Sequence, residues 1–347
     1  MISHFKLTFV LIGILIVPIL LTNTVNAQGI PFSAGVELTT STDSPVPGQD
    51  LTITANSYSA NINSAKITWT VDGKVVSREV GKTTLNIKAP AIGKRMIVKF
   101  SAVTTDNIAL STSITITSGS IDLIIESDGY VHPFFKGKIP TVYQNTVKVI
   151  AVPHIANSAG VEYDPKSLVY QWKKNGRAIE DQSGYGKQSV TLEGDIVPRP
   201  YDLSVTATLR DGTAQAMGII SISASSPSLN FYVNDPLYGS MFNSAIKNQL
   251  RIGSQKEMGV IAVPYGFNVQ QNNYNNLSLT WSINNSTRSE LAGNKSIILR
   301  SPSGQAGSSN IKLDIKNNKN ILQGANGGFS AVYTANNDDT TNTTVTF

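Results

Sequence analysis

The sequence predicts an all-β protein made of three tandem β-sandwiches. Only 15% of its 347 residues are charged, Gly is abundant, and Ser, Thr and Asn separate short runs that are rich in Val and Ile. This composition favours strands over helices. The three Trp of the chain stand roughly a hundred residues apart, each in the same local pattern. Several short strands at regular spacing, with turn residues between them, are typical of sandwiches.

The first element, residues 1–27, is predicted to be an export signal. A short basic start, MISHFK, precedes an apolar run of fifteen residues, Leu7–Leu21, and then the small-residue pattern Val25-x-Ala27. As a helix this run spans about 22 Å, which is less than the roughly 30 Å core of a bilayer. We therefore expect cleavage before Gln28 and a secreted, periplasmic or cell-surface protein. The alternative is an uncleaved anchor, in which residues 7–21 make the membrane contact.

Charge and cysteine content exclude several classes of function. The net charge is +5, and Lys and Arg are not concentrated in any one segment. Nucleic-acid binding is therefore not expected, because a phosphate backbone requires a dense basic surface. The chain has no Cys, which excludes a lipoprotein anchor, disulfides, a thiol nucleophile and Cys-based zinc sites.

Three repeats follow the signal, and each is built around one Trp. The Trp ends an apolar-alternating run and is followed, three residues later, by a turn pair that starts a hairpin. A β-like run precedes each Trp, and a Gly with another short strand follows it. The turn pairs are Asp72-Gly73, Asn175-Gly176 and Asn284-Asn285. The repeats predict domains at residues 28–118, 119–225 and 226–335, with a polar tail at 336–347.

The three Trp side chains, Trp69, Trp172 and Trp281, are predicted to fill the cores of their sandwiches. An indole is large enough to contact two facing sheets, and its burial stabilises the fold by roughly 2–3 kcal/mol. The alternative is that they are exposed platforms for sugar stacking. The alternation of the surrounding residues disfavours that alternative.

The stretch YQWKKNGRAI, which begins at Tyr170, resembles strand C and its turn in immunoglobulin-superfamily modules. Residues 35–335 look like the tandem immunoglobulin-like and PKD-like domains of exported bacterial surface proteins. The WxFGDG signature of PKD repeats is replaced here by WTVDG, WKKNG and WSINN. The resemblance implies three immunoglobulin-like β-sandwiches and a role as a stalk or adhesin, and it transfers no binding residue.

The second and third repeats contain insertions of about twenty residues between their first two strands, SDGYVHPFFKGKIPTVYQN and NDPLYGSMFNSAIKNQLRIG. Loops longer than about 12–15 residues are uncommon and often functional. Their large apolar side chains either cover a sandwich edge or a domain contact, or form an exposed patch for recognition. Phe242–Leu250 (FNSAIKNQL) predicts one or two helical turns. The candidate interaction patch consists of Tyr130, His132, Phe134, Phe135, Tyr238, Met241 and Phe242.

No catalytic residue, metal-ligand set or cofactor is predicted. His132 and His154 have no motif around them and are interpreted as solvated loop residues, and calcium at a domain junction is an alternative hypothesis. The leading hypothesis is a non-catalytic structural spacer or adhesive module at the cell surface or envelope, with a protein or glycan partner. The alternatives are a secreted carbohydrate-binding or enzyme-accessory protein, and a subunit of a pilus or envelope assembly.

Overall fold

The structure is a computed structural model that describes residues 35–197, 199–253, 257–269, 274–300 and 306–333. The predicted export signal and polar tail lie outside these residues. Within them the chain forms 24 β-strands and three single-turn 3-10 helices, so the prediction of an all-β fold is confirmed. The strands form six sheets, which enclose three separate hydrophobic cores. We call the three pairs of sheets the first, second and third sandwich.

The first sandwich pairs a three-stranded sheet with a four-stranded sheet. Its strands are β1 (Val36–Thr40), β2 (Asp50–Ser57), β3 (Lys66–Val71), β4 (Lys74–Val80), β5 (Thr84–Lys88), β6 (Arg95–Val103) and β7 (Ala109–Thr117). The order is β1-β2-β5 in one sheet and β4-β3-β6-β7 in the other, with all pairs antiparallel. Strand connections that alternate between two sheets in this way are those of an immunoglobulin-like sandwich.

The second sandwich repeats this order. Its strands are β8 (Ser120–Ser127), β9 (Val147–His154), β10 (Val169–Lys174), β11 (Arg177–Ala178), β12 (Gly184–Tyr185), β13 (Ser189–Leu192), β14 (Tyr201–Thr208) and β15 (Gln215–Ile222). One sheet has the order β8-β9-β13, and the other has the order β11-β10-β14-β15 with β12 also paired to β10. The long connection between β8 and β9 is the first of the two predicted insertions.

The third sandwich has the same frame with two added strands. Its strands are β16 (Ser228–Asp235), β17 (Gly239–Ile246), β18 (Gln249–Ile252), β19 (Glu257–Tyr265), β20 (Leu277–Ile283), β21 (Ser286–Thr287), β22 (Ser296–Arg300), β23 (Gly307–Asn317) and β24 (Gly324–Tyr333). The sheets have the orders β17-β16-β19-β22 and β18-β24-β23-β20-β21. The added strands are β17, which extends one sheet, and β18, which runs parallel to β24 in the other.

The helical turns predicted for Phe242–Leu250 are therefore wrong. This stretch forms the second half of β17 and the start of β18. Its apolar residues recur at every fourth position, which suits a helix, but β16 and β24 present free backbone edges to it. Pairing with those edges buries Ile246 and Leu250 in the core of the third sandwich, so tertiary pairing overrides the local pattern.

Each Trp lies at the centre of its core and is 0% exposed. In each sandwich its indole Nε1 donates to the backbone carbonyl of the residue after the repeated Gly. The acceptors are the carbonyls of Lys82 (2.8 Å), Lys187 (2.9 Å) and Asn294 (2.8 Å). The preceding Gly81, Gly186 and Gly293 have φ angles of 70°, 69° and 76°, which a residue with a side chain rarely adopts. The Gly thus turns the chain so that a carbonyl meets the buried indole.

The turn pair after each Trp has a second shared feature. Both residues of each pair have positive φ, as a two-residue hairpin turn requires. The side-chain oxygen of the first one also accepts the backbone N–H of a residue in the neighbouring strand. These bonds are Asp72 to Ile97 (2.8 Å), Asn175 to Asp202 (2.9 Å) and Asn284 to Asn310 (2.8 Å). Asp and Asn therefore serve the turn twice, through backbone conformation and through a cross-strand bond.

Candidate functional site

The connection between β8 and β9 leaves the second sandwich and lies against the third. We call residues 128–146 the bridging segment. Its backbone pairs with the residues that follow β19: the N–H of Tyr130 donates to the carbonyl of Phe267, and the N–H of Gly266 donates to the carbonyl of Tyr130, both at 2.8 Å. The segment is therefore joined to the third sandwich by its main chain as well as by its side chains.

Aromatic side chains form one half of this contact. The outer face of the sheet that contains β16 and β19 presents Tyr232 and Tyr265, which are 5% and 6% exposed. Their hydroxyls are hydrogen-bonded to each other at 2.7 Å. The bridging segment covers them with Phe135 and with His132, whose ring centroids lie 5.8 Å and 5.7 Å from that of Tyr265. The result is a fourth apolar cluster, which belongs to two sandwiches at once.

His132 also lies flat on a ring of the second insertion. Its imidazole stacks on Phe242 with a centroid distance of 4.4 Å and an interplanar angle of 11°. Tyr130 packs edge-on against Tyr274 at 5.6 Å. His132 is a loop residue, as interpreted from the sequence, but its ring is not free in solvent, because it stacks on Phe242 of the third sandwich and is half-buried.

Buried amides form the other half of the contact. Asn145 and Gln323 are each 1% exposed. The Nδ2 of Asn145 donates to the carbonyl of Gly266 (2.8 Å), and the Nε2 of Gln323 donates to Oδ1 of Asn145 (2.5 Å) and to the carbonyl of Tyr143 (2.8 Å). The Oε1 of Gln323 accepts from the Nδ2 of Asn317 at 2.8 Å. Such a network specifies one arrangement of the two sandwiches, because a buried amide that loses its partner is costly.

The rim of the contact carries further polar bonds. Leu322 donates its N–H to Oε1 of Gln144 (2.8 Å), and Asn268 donates through Nδ2 to Oδ2 of Asp128 (3.1 Å). Burial raises the pKa of Asp128, although hydrogen bonds from Thr146 oppose the rise. Sequence reasoning did not single out Gln144, Asn145 or Gln323. Gln144 and Asn145 lie in the first insertion. Buried polar residues such as these produce no hydrophobic periodicity by which the sequence could reveal them.

The structure divides the candidate interaction patch into two sets. Tyr130, His132, Phe135 and Phe242 come together in the contact just described. Phe134 is 91% exposed, and Tyr238 and Met241 are 79% and 41% exposed. Tyr238 lies in the turn between β16 and β17, where Oδ1 of Asp235 accepts its N–H (2.9 Å) and that of Leu237 (2.7 Å). The exposed members thus occupy two separate places.

His154 is a strand residue paired with two carboxylates, so its interpretation as a loop residue is wrong, although its side chain is partly exposed to solvent. It ends β9, with Nδ1 at 2.9 Å from Oε1 of Glu162 and Nε2 at 3.3 Å from Oδ2 of Asp122. The hydrogen bond with Glu162, followed by that with Asp122, raises the pKa of His154, and desolvation opposes the rise. This arrangement stabilises the protonated imidazole.

The described ranges hold no group of three or more His, Asp or Glu side chains placed to bind a metal ion. Nor do they contain a helix that has the length and hydropathy needed to cross a membrane. The bridging contact itself consists of amides, hydroxyls and aromatic rings, including the imidazole of His132, with the carboxylate of Asp128 at its rim.

No protein-family model and no curated protein matches the chain. Solved structures do match it in fold. The fibronectin(III)-like modules of Clostridium thermocellum CbhA are 14% identical, cover 55% of this chain and 94% of their own, and give a TM-score of 0.27. The three N-terminal domains of the bacteriophage RB49 outer capsid protein Hoc are 12% identical, with coverages of 87% and 99% and a TM-score of 0.24.

A third match is a structure of a 1.5-MDa bacterial ice-binding adhesin, which is 10% identical, with coverages of 87% and 97% and a TM-score of 0.22. Of the predicted resemblance to tandem immunoglobulin-like and PKD-like modules, the immunoglobulin-like fold is confirmed, because each sandwich has the strand order of that fold. The likeness to these solved structures is one of fold alone. The strand order of each sandwich defines that fold without reference to them.

Proposed function

We propose that the chain is a non-catalytic exported protein that serves as a structural spacer or adhesive module at the cell surface or envelope. It consists of three immunoglobulin-like domains at residues 28–118, 119–225 and 226–335, which follow the export signal (1–27) and precede a polar tail (336–347). The observation that carries the proposal is the bridging segment, which joins the second sandwich to the third through apolar, main-chain and buried-amide contacts at once.

A spacer differs from a flexible string of domains in that its junctions resist bending. A short junction does not by itself fix two neighbouring domains, because domains generally move relative to each other unless their interface is large and apolar. Here about twenty residues that the sandwich frame does not require, since the first sandwich lacks them, are used to fix one junction. This use of sequence favours a role in which the relative position of the domains matters.

An adhesive role is supported by the turn between β16 and β17. Leu237 and Tyr238 stand 80% and 79% exposed there, on a hairpin that the first and second sandwiches lack. Large apolar side chains that stay exposed together on a projecting turn are candidates for partner contact. The partner would be a protein or a glycan at the cell surface.

Surface location and attachment test the proposal together. An antibody against the chain should label intact cells, and the purified chain from Gln28 should bind them. Replacing Leu237 and Tyr238 by Ser should abolish attachment at an unchanged melting temperature, with Phe134→Ser as the matched exposed control. If the variant of Leu237 and Tyr238 still binds cells, the adhesive role of this turn is contradicted and the spacer role is retained. If the antibody labels cells only after lysis, the proposed surface location is contradicted. Selective, saturable signals on a glycan array would favour the carbohydrate-binding alternative, and recovery in a complex from solubilised envelopes would favour the assembly-subunit alternative.

A further inference from the structure

The three sandwiches follow one another in the same orientation. We call the end of a sandwich at which its first strand begins the head, and the opposite end the base. At the first junction, Nε2 of Gln215, at the head of the second sandwich, donates to the carbonyl of Asp43, at the base of the first (2.7 Å). At the second junction, the bridging segment at the base of the second sandwich covers Tyr265 at the head of the third. Both junctions therefore join a base to a head.

The head of the first sandwich carries a Tyr at the position that Tyr265 holds in the third. Ile53 and Val260 occupy equivalent core places in their second strands, because each pairs with a buried residue of β5 or β22. Five residues after them stand Tyr58 and Tyr265. The bridging segment covers Tyr265, whereas Tyr58 is 89% exposed. The equivalent residue of the second sandwich, His154, is bound by two carboxylates instead.

A groove of about 320 Å³ lies beside Tyr58 at this head. Its wall comes from the end of β2 and from the loop before β3, and it includes Asn56, Asn61 and Asn63. An aromatic ring next to amides is also the combination that forms the contact between the second and third sandwiches. Since amides both donate and accept hydrogen bonds, the groove suits a side chain with an apolar body and a polar tip.

The base of the third sandwich presents side chains of this kind. Strand β16 starts at the head and ends at Asp235, so the turn that follows it lies at the base. Leu237 and Tyr238 are exposed on this turn, and Oδ1 of Asp235 accepts the N–H of both. The turn belongs to the second insertion, which lies between the first strands of its sandwich as the bridging segment does in the second. It is the counterpart of the segment that covers Tyr265.

We propose that the third sandwich of one copy of the chain docks on the first sandwich of a second copy, with Leu237 and Tyr238 against Tyr58 and the groove beside it. The two open ends carry the chemistry of a junction that the chain already forms, which favours a second copy as the partner. The contact joins two different surfaces, so it repeats into a filament, or into a ring where the rotation closes. This inference rests on the proposed adhesive role of the turn and names its partner.

Sedimentation velocity of the chain from Gln28, from micromolar to near-millimolar concentration, tests the proposal. The average size of the wild type should rise with concentration. Tyr58→Ser, the head variant, and Leu237→Ser with Tyr238→Ser, the base variant, should each weaken association at least about tenfold, because a few anchor side chains dominate such contacts. The matched control is Phe134→Ser, which removes an exposed aromatic ring outside both surfaces and should associate like the wild type. All these side chains are exposed, so the melting temperature should not change.

Mixing the two variants gives the sharpest result. The head variant keeps an intact base and the base variant keeps an intact head, so the mixture should form a one-to-one complex, although each variant alone stays monomeric. A wild type that is monomeric at every concentration overturns the proposal. A mixture that forms no complex overturns it as well, because the contact then does not join a head to a base.

Failure of this inference can be told apart from failure of the proposed surface role. If Leu237 and Tyr238 are needed for attachment to cells but the wild type is monomeric, the partner of the turn is not a second copy, and the surface role stands. If the two variants form their complex but the antibody labels cells only after lysis, self-association stands and the surface location fails.

Discussion

Each core Trp combines size with one hydrogen bond, and both matter for stability. Trp172 fills the space between the two sheets of the second sandwich and donates to the carbonyl of Lys187. We expect Trp172→Ala to lower the free energy of unfolding by about 3–5 kcal/mol, because a large cavity opens in a packed core. Trp172→Phe should cost about 1–3 kcal/mol, since the ring is largely kept but a carbonyl loses its buried donor.

Chemical denaturation of the chain, followed by the fluorescence of the remaining Trp and by circular dichroism, measures both changes. Trp69→Ala and Trp281→Ala should behave alike in their own sandwiches, which makes each a control for the others. A midpoint that does not move for Trp172→Ala would show that this indole is not a core residue.

His154 should make stability depend on pH. Its folded-state pKa is raised above the usual 6.5 by Glu162 and Asp122, so the folded protein binds the proton more tightly than the unfolded chain. The stabilising contribution is therefore fully present below pH 6.5 and is lost as the pH rises through the folded-state pKa. His154→Gln removes it.

Unfolding free energies of the wild type and His154→Gln, measured from pH 5.5 to pH 9, isolate this contribution because other titrating groups cancel in the difference. The advantage of the wild type should shrink as the pH rises. A difference that is constant over this range, or an NMR titration that gives the imidazole a pKa below 6.5, would contradict the role of the two carboxylates.

At the scale of elements, substitutions of the neighbouring residues Phe134 and Phe135 should have different effects on stability. Phe135 packs against Tyr265, whereas Phe134 is 91% exposed. Phe135→Ser should therefore destabilise the contact between the second and third sandwiches by roughly 1–3 kcal/mol, and Phe134→Ser should stay within about 0.5 kcal/mol of the wild type. Differential scanning calorimetry that shows equal shifts for the two variants would argue against the contact.

The sequence predicts local elements of this fold better than long-range ones. The Trp and the turn pairs are visible because each acts within a few residues of itself, and the strand alternation follows from one buried face. The shared role of Gly81, Gly186 and Gly293 is harder to see, since the carbonyl that each Gly orients accepts from an indole more than ten residues away.

The bridging contact could be predicted only in part. The aromatic residues of the two insertions showed that these segments are unusual. The same residues are expected in a covered domain contact and in an exposed binding patch, so composition could not distinguish the two. The partners Asn145 and Gln323 are 178 residues apart, and no hydrophobic period connects two buried amides. The prediction of helical turns at Phe242–Leu250 failed for a related reason. The conformation of this stretch is decided by its pairing with the edges of β16 and β24, and β24 is distant in sequence.

At the scale of the molecule, the two junctions are built differently. The second and third sandwiches share an apolar cluster and buried amides, whereas the first and second meet around a polar cavity. Three sandwiches with strands of about 25–35 Å would make a rod on the order of 100 Å. We expect the half formed by the second and third sandwiches to be the stiffer one.

The central claim, that the bridging segment locks the second sandwich to the third, is tested most directly by a distance distribution between them. The chain has no Cys, so Thr191→Cys with Thr280→Cys places exactly one spin label on each of the two sandwiches, at exposed strand positions. Pulsed electron-spin resonance should give one narrow distance. Phe135→Ser or Gln323→Ala should broaden it, and Phe134→Ser should leave it narrow. A broad distribution in the wild type, or one that Phe135→Ser and Gln323→Ala do not change, would contradict the claim.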